Sequence, residues 1–100
     1  MKIKICAIGE CMMELTNAKK KLYSQSIAGD TLNFTSYLDK KIFDTSYFTA
    51  VGTSEISKRV ISFLKKQKIK TNLVSQISSH EIGLYLIENS KAGEKIFYYW

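Results

Sequence analysis

The first part of the chain alternates short apolar runs with polar turns. Residues 3–8 are rich in β-branched side chains and end at Gly9, which predicts a buried, parallel strand. Residues 12–16 and 22–27 predict two further strands, and the polar segment 17–21 between them predicts a loop. The pattern therefore predicts one core strand followed by a hairpin.

Two helical patterns follow, separated by a strand. Residues 31–41 predict a helix, and residues 45–51 predict a strand that ends at Gly52. Ser54 is a suitable N-cap for a second helix through about residue 67, where lysines suit the negative end of the helix dipole. The predicted apolar faces consist of Leu32, Phe34, Tyr37 and Leu38 in the first helix, and of Val60, Ile61, Phe63 and Leu64 in the second.

The last part of the chain returns to strand patterns. Residues 72–77 predict a strand, and residues 82–88 and 95–100 predict an antiparallel pair joined by a turn at 89–93. The order of elements predicts an α/β fold with a small antiparallel sheet attached to it. Because Trp100 ends a strongly aromatic strand without a stop signal, we expect a fragment or a truncated gene product.

The segment Ala28-Gly29-Asp30-Thr31-Leu32-Asn33 is the main candidate for a binding site. Gly29 gives the backbone freedom and allows close approach, and Asp30 can cap the following helix. Asn33 lies one turn later and can both donate and accept hydrogen bonds. The arrangement suits a polyhydroxylated ligand, although a capped helix with no ligand explains the same residues.

Composition narrows the possible partners. The net charge of +6 suggests nucleic acid, but fourteen of the fifteen basic residues are lysine and only Arg59 offers a guanidinium. We therefore expect no nucleic-acid partner. No apolar run is long enough to span a membrane and no secretory leader is visible, so we expect a cytoplasmic protein without a membrane partner. Cys6 and Cys11 are expected to be buried, reduced thiols, and no metal site is expected.

Several segments carry a family resemblance through their order and spacing. They read Ile-Gly-Glu-Cys-Met-Met-Glu-Leu (8–15), Ala-Gly-Asp-Thr-Leu-Asn (28–33), Thr-Ala-Val-Gly-Thr (49–53), Gly-Leu-Tyr-Leu-Ile-Glu (83–88) and Gly-Glu-Lys-Ile-Phe-Tyr-Tyr-Trp (93–100). Over essentially its whole length the chain resembles the N-terminal third of PfkB-type (ribokinase-like) sugar kinases, most of all those that act on a keto-acid sugar. The resemblance implies a partial three-layer α/β/α core, with an antiparallel β-lid formed by residues about 12–27 and 82–100.

The resemblance also implies a set of substrate-binding residues. They are Gly29, Asp30, Thr31, Leu32 and Asn33 in the binding segment, Tyr85, Tyr99 and Trp100 in the lid, and Glu14, which occupies the place of a sugar-binding aspartate. For Tyr85 the alternative of a strand aromatic that covers the core stays open, and Glu14 with Glu10 is interpreted as an accidental pair. Phe97 and Tyr98 are expected in the core or in a dimer contact, and His80 in a solvated loop.

Two departures from the family pattern stand out. Ile42 occupies a place near which the family has a small residue. Family members also continue after the position of Trp100 with an arginine that pairs with the substrate carboxylate.

The catalytic parts expected of a kinase are absent from these 100 residues. There is no Gly-x-x-x-x-Gly-Lys-Ser/Thr loop, and no Gly-Ala-Gly-Asp-type motif of the kind that supplies the family's catalytic base. We therefore expect ATP and Mg²⁺ to bind a missing C-terminal part, with no catalytic residue and no cofactor in this chain. The alternatives are another PfkB-type kinase such as a fructokinase, or a non-catalytic sugar-binding or dimerising remnant. The resemblance further suggests a homo-oligomer formed through the lid.

Overall fold

The computed structural model describes residues 1–100 and contains two helices and seven strands. The element order confirms the predicted α/β class. In chain order the elements are β1 (Ile3–Ile8), β2 (Met12–Lys19), β3 (Leu22–Ala28), α1 (Asp30–Tyr37), β4 (Phe43–Val51), α2 (Glu55–Lys66), β5 (Val74–Gln76), β6 (Gly83–Asn89) and β7 (Lys95–Tyr99).

Strands β1, β4 and β5 form a parallel sheet, here called the central sheet, in the order β1-β4-β5. Along β4 the residues Thr45, Tyr47, Thr49 and Val51 are all buried, whereas their neighbours Phe48 and Ala50 are exposed. This period of two is what a strand covered on one face produces. Strand β5 has three residues and is therefore shorter than the predicted 72–77.

Both helices contribute to one hydrophobic cluster beside the central sheet. Its buried members are Cys11, Leu32, Tyr47, Val51, Val60, Leu64 and Ile69. The opposite face of the sheet is open, and Ile8 and Phe48 are 68% and 52% exposed there. The 100 residues thus supply a sheet and one helical layer of the predicted three-layer core.

The prediction that β1 is buried is wrong. Strand β1 lies at the edge of the central sheet, and Cys6 is exposed because it lies on the open face with Ile8. Cys11 is buried, as predicted. An apolar run shows that a strand can be covered, but it does not show that the chain itself supplies the cover.

Strands β3, β2, β6 and β7, in that order, form a second sheet, here called the outer sheet. Its two hairpins are antiparallel, as predicted, but the central pair β2 and β6 is parallel, which makes the sheet mixed. The turn of the first hairpin is only Lys20-Lys21, where both φ angles are positive at 41° and 55°. A two-residue turn of this kind lets β2 continue to Lys19, so the predicted loop 17–21 is too long.

Helix α1 ends at Tyr37, four residues before the predicted end. The Lys40 ammonium donates to the carbonyl oxygens of Thr35 and Leu38 at 2.7 and 2.8 Å, and so satisfies carbonyls that a longer helix would bind. The predicted apolar face is also wrong in part, because Phe34 and Tyr37 are 60% and 90% exposed. Only Leu32 and Thr35 are buried on this helix.

Helix α2 follows its prediction closely. Ser54 is the N-cap, and its Oγ accepts a hydrogen bond from the Ser57 amide at 3.3 Å. Val60 and Leu64 are buried, and Ile61 and Phe63 pack against the same cluster. Neither α1 nor α2 is long and apolar enough to cross a membrane.

Candidate functional site

A cavity of about 550 Å³ lies between the two sheets. It is bordered by the turn after β1, the start of α1 and one face of the outer sheet. Ligands of α/β proteins commonly bind at the carboxyl ends of parallel strands, which is where β1 leads. The lining residues are Gly9, Glu10, Met12, Gly29, Asp30, Thr31, Asn33, Tyr85, Phe97 and Tyr99.

Two glycines allow the floor of this cavity to form. Gly29 has φ of +151°, and a Cβ built on it would lie 2.5 Å from the carbonyl oxygen of Glu10. A Cβ on Gly9 would lie 2.1 Å from Thr31 Oγ1. The predicted backbone freedom of Gly29 is confirmed by its φ, and the chain's own backbone leaves no room for a side chain there. Close approach of a ligand to Gly29 stays a prediction.

Asp30 and Asn33 lie one helical turn apart on the cavity floor. The prediction that Asp30 caps α1 is wrong: Gly29 is the N-cap, no side chain caps the helix, and Asp30 is the first helical residue. Its carboxylate therefore remains available to a ligand. The Asn33 side chain is exposed and adds both a donor and an acceptor.

Tyr47 lies buried beneath the floor and connects its two halves. Its hydroxyl hydrogen-bonds to Thr31 Oγ1 and donates to the carbonyl oxygen of Glu10 at 3.2 Å. Burial raises the pKa of Tyr47 to about 12, and burial likewise raises the pKa of the adjacent Cys11 thiol to about 11. Both groups therefore stay protonated at neutral pH, which keeps the Tyr47 hydroxyl available as a donor.

Three aromatic rings of the outer sheet form the opposite wall. Tyr85 and Tyr99 stack with ring centroids 5.7 Å apart, and Phe97 and Tyr99 stack at 6.2 Å. The Tyr85 hydroxyl donates to Glu14, and burial followed by this hydrogen bond raises the pKa of Tyr85. The resulting wall is apolar on its ring faces, and the Tyr85 hydroxyl is its hydrogen-bonded polar group.

Three residues in the predicted binding set do not line the cavity. Leu32 is fully buried in the core, because it lies on the face of α1 that packs on the sheet. Trp100 exchanges backbone hydrogen bonds with Leu84, so strand alternation directs its side chain to the face opposite Tyr85 and Tyr99. Glu14 lies behind Tyr85 rather than in the cavity.

The cavity also includes four residues outside the predicted set, namely Gly9, Glu10, Met12 and Phe97. The position of Glu10 directly after a parallel strand is a signal that could have identified it. Phe97 was expected in the core or in a dimer contact. It is not in the core, because it is 46% exposed and lines the cavity, whereas a dimer contact stays a prediction. Only the strand register, which pairs Phe97 with Ile87 and Tyr99 with Tyr85, places both aromatic residues on one face.

A hydrogen-bond cluster connects the start of α2 to the segment before β6. Ser57 Oγ donates to Glu81 Oε1 at 2.7 Å and accepts from the Gly52 amide at 2.8 Å. Hydrogen bonds from Ser54, Ser57 and the Ile82 amide hold the pKa of Glu81 below its ordinary value. The cluster fixes the point at which the chain leaves the central sheet and enters the strand that carries Tyr85.

A second cavity, of about 400 Å³, lies between the other face of the outer sheet and α2. Its lining includes Met13, Gln25, Arg59 and Lys66, and Arg59 donates to Gln25 Oε1 at 3.3 Å. It shares no residue with the first cavity.

The first cavity has the chemistry of a site for a small polyhydroxylated molecule. Glu10 and Asp30 offer carboxylate acceptors, Asn33 and Thr31 offer donors and acceptors, and aromatic rings offer apolar surface. No group of three histidine, cysteine or carboxylate side chains lies close enough to hold a metal ion. The fold and the site together define the class of protein. It is an α/β domain with a polar site beside its parallel strands and an aromatic outer sheet.

Residues 2–100 match the pfkB family of carbohydrate kinases, and the chain therefore belongs to that family. It is 41% identical over 101 residues to the 2-dehydro-3-deoxygluconokinase of Haemophilus influenzae, covering 97% of this chain and 32% of the relative. It is 37% identical over 100 residues to the enzyme of the same name from Dickeya dadantii, with 96% and 32% covered. The chain thus spans about a third of the length of these curated relatives.

Solved structures support the fold. The 2-dehydro-3-deoxygluconokinase of Thermotoga maritima superposes with a TM-score of 0.86 at 18% identity, over 97% of this chain and 32% of that one. The fructokinase of Vibrio cholerae superposes with a TM-score of 0.87 at 13% identity, over 98% and 34%. At these identities the similarity shows the fold alone.

Proposed function

We propose that this chain is the N-terminal, sugar-binding part of a kinase that phosphorylates 2-keto-3-deoxygluconate, the compound also called 2-dehydro-3-deoxygluconate. The observation that carries the proposal is the 41% identity to a 2-dehydro-3-deoxygluconokinase over 97% of the chain. The cavity supports it independently, because its polar floor and aromatic wall fit a sugar.

Different lining residues recognise different parts of such a sugar. Asp30 and Asn33 receive and donate hydrogen bonds at the hydroxyl groups, while Tyr85 and Tyr99 cover the apolar edge of the carbon chain. None of the ten lining residues is a lysine or an arginine, and two are carboxylates. The substrate carboxylate is therefore directed away from Glu10 and Asp30, towards a cation outside these ten residues.

We also propose that the outer sheet acts as the family's lid and covers the bound sugar. The hydrogen bonds of Glu81 support it, because they fix the start of β6 on the helical layer and so hold Tyr85 over the floor. We extend the proposal to ATP and Mg²⁺ for the complete kinase, in which ATP supplies the transferred phosphoryl group. The residues present here do not fit either group, since the chain has neither a phosphate-binding loop nor a metal-binding cluster.

A fructokinase activity is the second candidate, since the Vibrio cholerae fructokinase shares the fold. That similarity rests on 13% identity, whereas the identity to the keto-acid sugar kinases is 35–41%. A non-catalytic sugar-binding remnant is the third candidate, because these 100 residues include no Gly-Ala-Gly-Asp-type motif.

A chimeric kinase can separate the three candidates. The chain replaces the matching N-terminal segment of the Haemophilus influenzae relative, and phosphoryl transfer is measured with 2-keto-3-deoxygluconate and with fructose. We expect preferential transfer to 2-keto-3-deoxygluconate, and we expect Asn33→Ala to weaken it by raising KM. The unmodified relative is the positive control.

Each candidate predicts a different result. Preference for fructose contradicts the proposal in favour of the fructokinase. A chimera that melts like the unmodified relative but transfers phosphate to neither sugar supports the remnant. Transfer to the keto-acid sugar that Asn33→Ala leaves unchanged contradicts the assignment of the site.

Two further properties belong to the same proposal. Strand β7 lies at an edge of the outer sheet with all its residues exposed, and an open strand edge of this kind pairs readily with a second copy. We therefore expect a dimer formed through the outer sheet, which analytical ultracentrifugation can detect.

The free thiols of Cys6 and Cys11 support a location in the reducing cytoplasm, which cell fractionation can check.

A further inference from the structure

Four residues form a row across the outer sheet. Ser26 on β3 pairs with Glu14 on β2, Glu14 pairs with Tyr85 on β6, and Tyr85 pairs with Tyr99 on β7. Directly paired residues present their side chains on the same face of a sheet. The row therefore leads from a polar end at Ser26 to the aromatic wall of the cavity.

The Glu14 carboxylate accepts hydrogen bonds from three hydroxyl groups. Tyr85 Oη donates to its Oε1, Ser26 Oγ donates to its Oε2 at 3.0 Å, and Thr16 Oγ1 donates to Oε2 at 3.5 Å. Glu14 itself does not line the cavity, whereas Tyr85 does. Tyr85 therefore lines the cavity while its hydroxyl is bound to a carboxylate that does not.

This geometry decides which hydrogen-bonding role Tyr85 presents to a ligand. A phenol hydroxyl has one proton, and an ionised carboxylate can only accept. Because the Tyr85 proton is donated to Glu14, the hydroxyl has only oxygen lone pairs left to offer a ligand in the cavity. A ligand group beside Tyr85 must therefore be a donor, such as a sugar hydroxyl, and a carboxylate or carbonyl oxygen finds no partner there.

We infer that Glu14 is a positioning residue that fixes the Tyr85 hydroxyl as an acceptor for a hydroxyl group of the substrate. The inference rests on the proposed sugar site and deepens it, because it assigns Glu14 an indirect role where the resemblance implies direct contact with the sugar. Ser26 and Thr16 support the role by holding the second carboxylate oxygen. The ordered row leaves Tyr85 little freedom to exchange donor and acceptor roles.

The first test needs no ligand. In Glu14→Gln the carboxamide removes the negative charge and can donate to Tyr85, so the pKa of Tyr85 should fall while burial still keeps it above that of a free tyrosine. NMR titration of the Tyr85 ring ζ-carbon measures this value. The matched control is Glu88→Gln, because Glu88 accepts a hydrogen bond from Tyr23 elsewhere on the same sheet. The control should lower the pKa of Tyr23 and leave that of Tyr85 unchanged.

The second test is a double-mutant cycle on the affinity for 2-keto-3-deoxygluconate. Glu14→Gln and Tyr85→Phe should each weaken binding about three- to tenfold, the value of one hydrogen bond, and the double variant should bind no more weakly than Tyr85→Phe. Glu88→Gln should bind like the unmodified chain.

The outcomes are distinguishable. An unchanged pKa of Tyr85 in Glu14→Gln overturns the inference. The inference is also overturned if Glu14→Gln still lowers the affinity for the sugar in the Tyr85→Phe background, because Glu14 would then contact the sugar itself. An unchanged affinity in the Glu14→Gln single variant overturns it as well. If the unmodified chain binds no sugar, the proposed function fails, and the Tyr85 titration alone decides whether Glu14 orients the hydroxyl.

Discussion

The floor and the aromatic wall of the cavity are built by opposite means. The floor is enclosed: a Cβ at Gly29 would meet the Glu10 backbone, a Cβ at Gly9 would meet the Thr31 side chain, and Tyr47 beneath them is fully buried. The wall is open, since Phe97 and Tyr99 are 46% and 66% exposed and are held mainly by strand pairing. Substitutions in the floor should therefore cost stability, whereas substitutions in the wall should change binding and leave the fold intact.

The largest effect is expected at Gly29. In Gly29→Ala the new Cβ meets the Glu10 carbonyl oxygen at 2.5 Å in a backbone conformation that L side chains rarely adopt. We expect the free energy of unfolding to fall by about 3 kcal/mol or more, measured by urea denaturation. Gly93→Ala is the control, because Gly93 also has positive φ but has nothing within 4 Å of its Cβ. Equal losses in the two variants would contradict the enclosed floor.

Tyr47→Phe should have the next largest effect. The variant keeps the ring but leaves the carbonyl oxygen of Glu10 and the Thr31 hydroxyl without their buried partner. We expect a loss of about 1–3 kcal/mol in the free energy of unfolding. Tyr37→Phe removes a hydroxyl from a side chain that is 90% exposed and should cost almost nothing. A neutral Tyr47→Phe would show that the two halves of the floor hold together without this hydroxyl.

The attachment of the outer sheet to the start of α2 should respond to pH through Glu81. Because hydrogen bonds lower its pKa in the folded chain, its contribution to stability is complete above the ordinary value of 4.5 and is lost as the pH falls through the lower folded value. Glu81→Gln should therefore flatten the decline of stability in that acidic window, measured by thermal melting at several pH values. Glu94→Gln, which removes a carboxylate without a hydrogen-bond partner, should leave the decline as it is. An unchanged profile in Glu81→Gln would contradict this prediction.

The smallest effect on stability is expected in the wall. Tyr99→Ala should change the free energy of unfolding by no more than about 0.5 kcal/mol, because the side chain is largely exposed on an edge strand. It should nevertheless weaken sugar binding about three- to tenfold through loss of the stacked ring. Tyr98→Ala is the matched control on the opposite face of β7 and should bind normally. If the two variants bind the sugar equally well, the aromatic wall is not part of the binding site.

The sequence predicted the local elements better than the contacts between them. Strands, helix α2 and the glycine at position 29 follow from local pattern, because turn chemistry and periodicity act over a few residues. The exposure of Cys6 was missed, since burial depends on what covers a strand. The hydrogen bond between Glu14 and Tyr85 could not be predicted from local pattern either, because the parallel pairing of β2 with β6 joins residues 71 positions apart.

The family resemblance located the binding segment, but it could not show which residues of that segment line the cavity. Residues 29–33 were predicted as one group, yet the structure separates Leu32 in the core from Asp30 and Asn33 on the cavity floor. Side-chain direction on α1 decides this, and it becomes visible only when the packed face of the helix is known.

The most direct test of the account is an NMR titration of the isotopically labelled chain with 2-keto-3-deoxygluconate. We predict saturable shifts at the amides of Gly9, Gly29 and Asn33 on the floor and at the ring of Tyr85 on the wall. Absence of saturable shifts at millimolar sugar would contradict the account. So would shifts confined to the second cavity around Arg59 and Lys66.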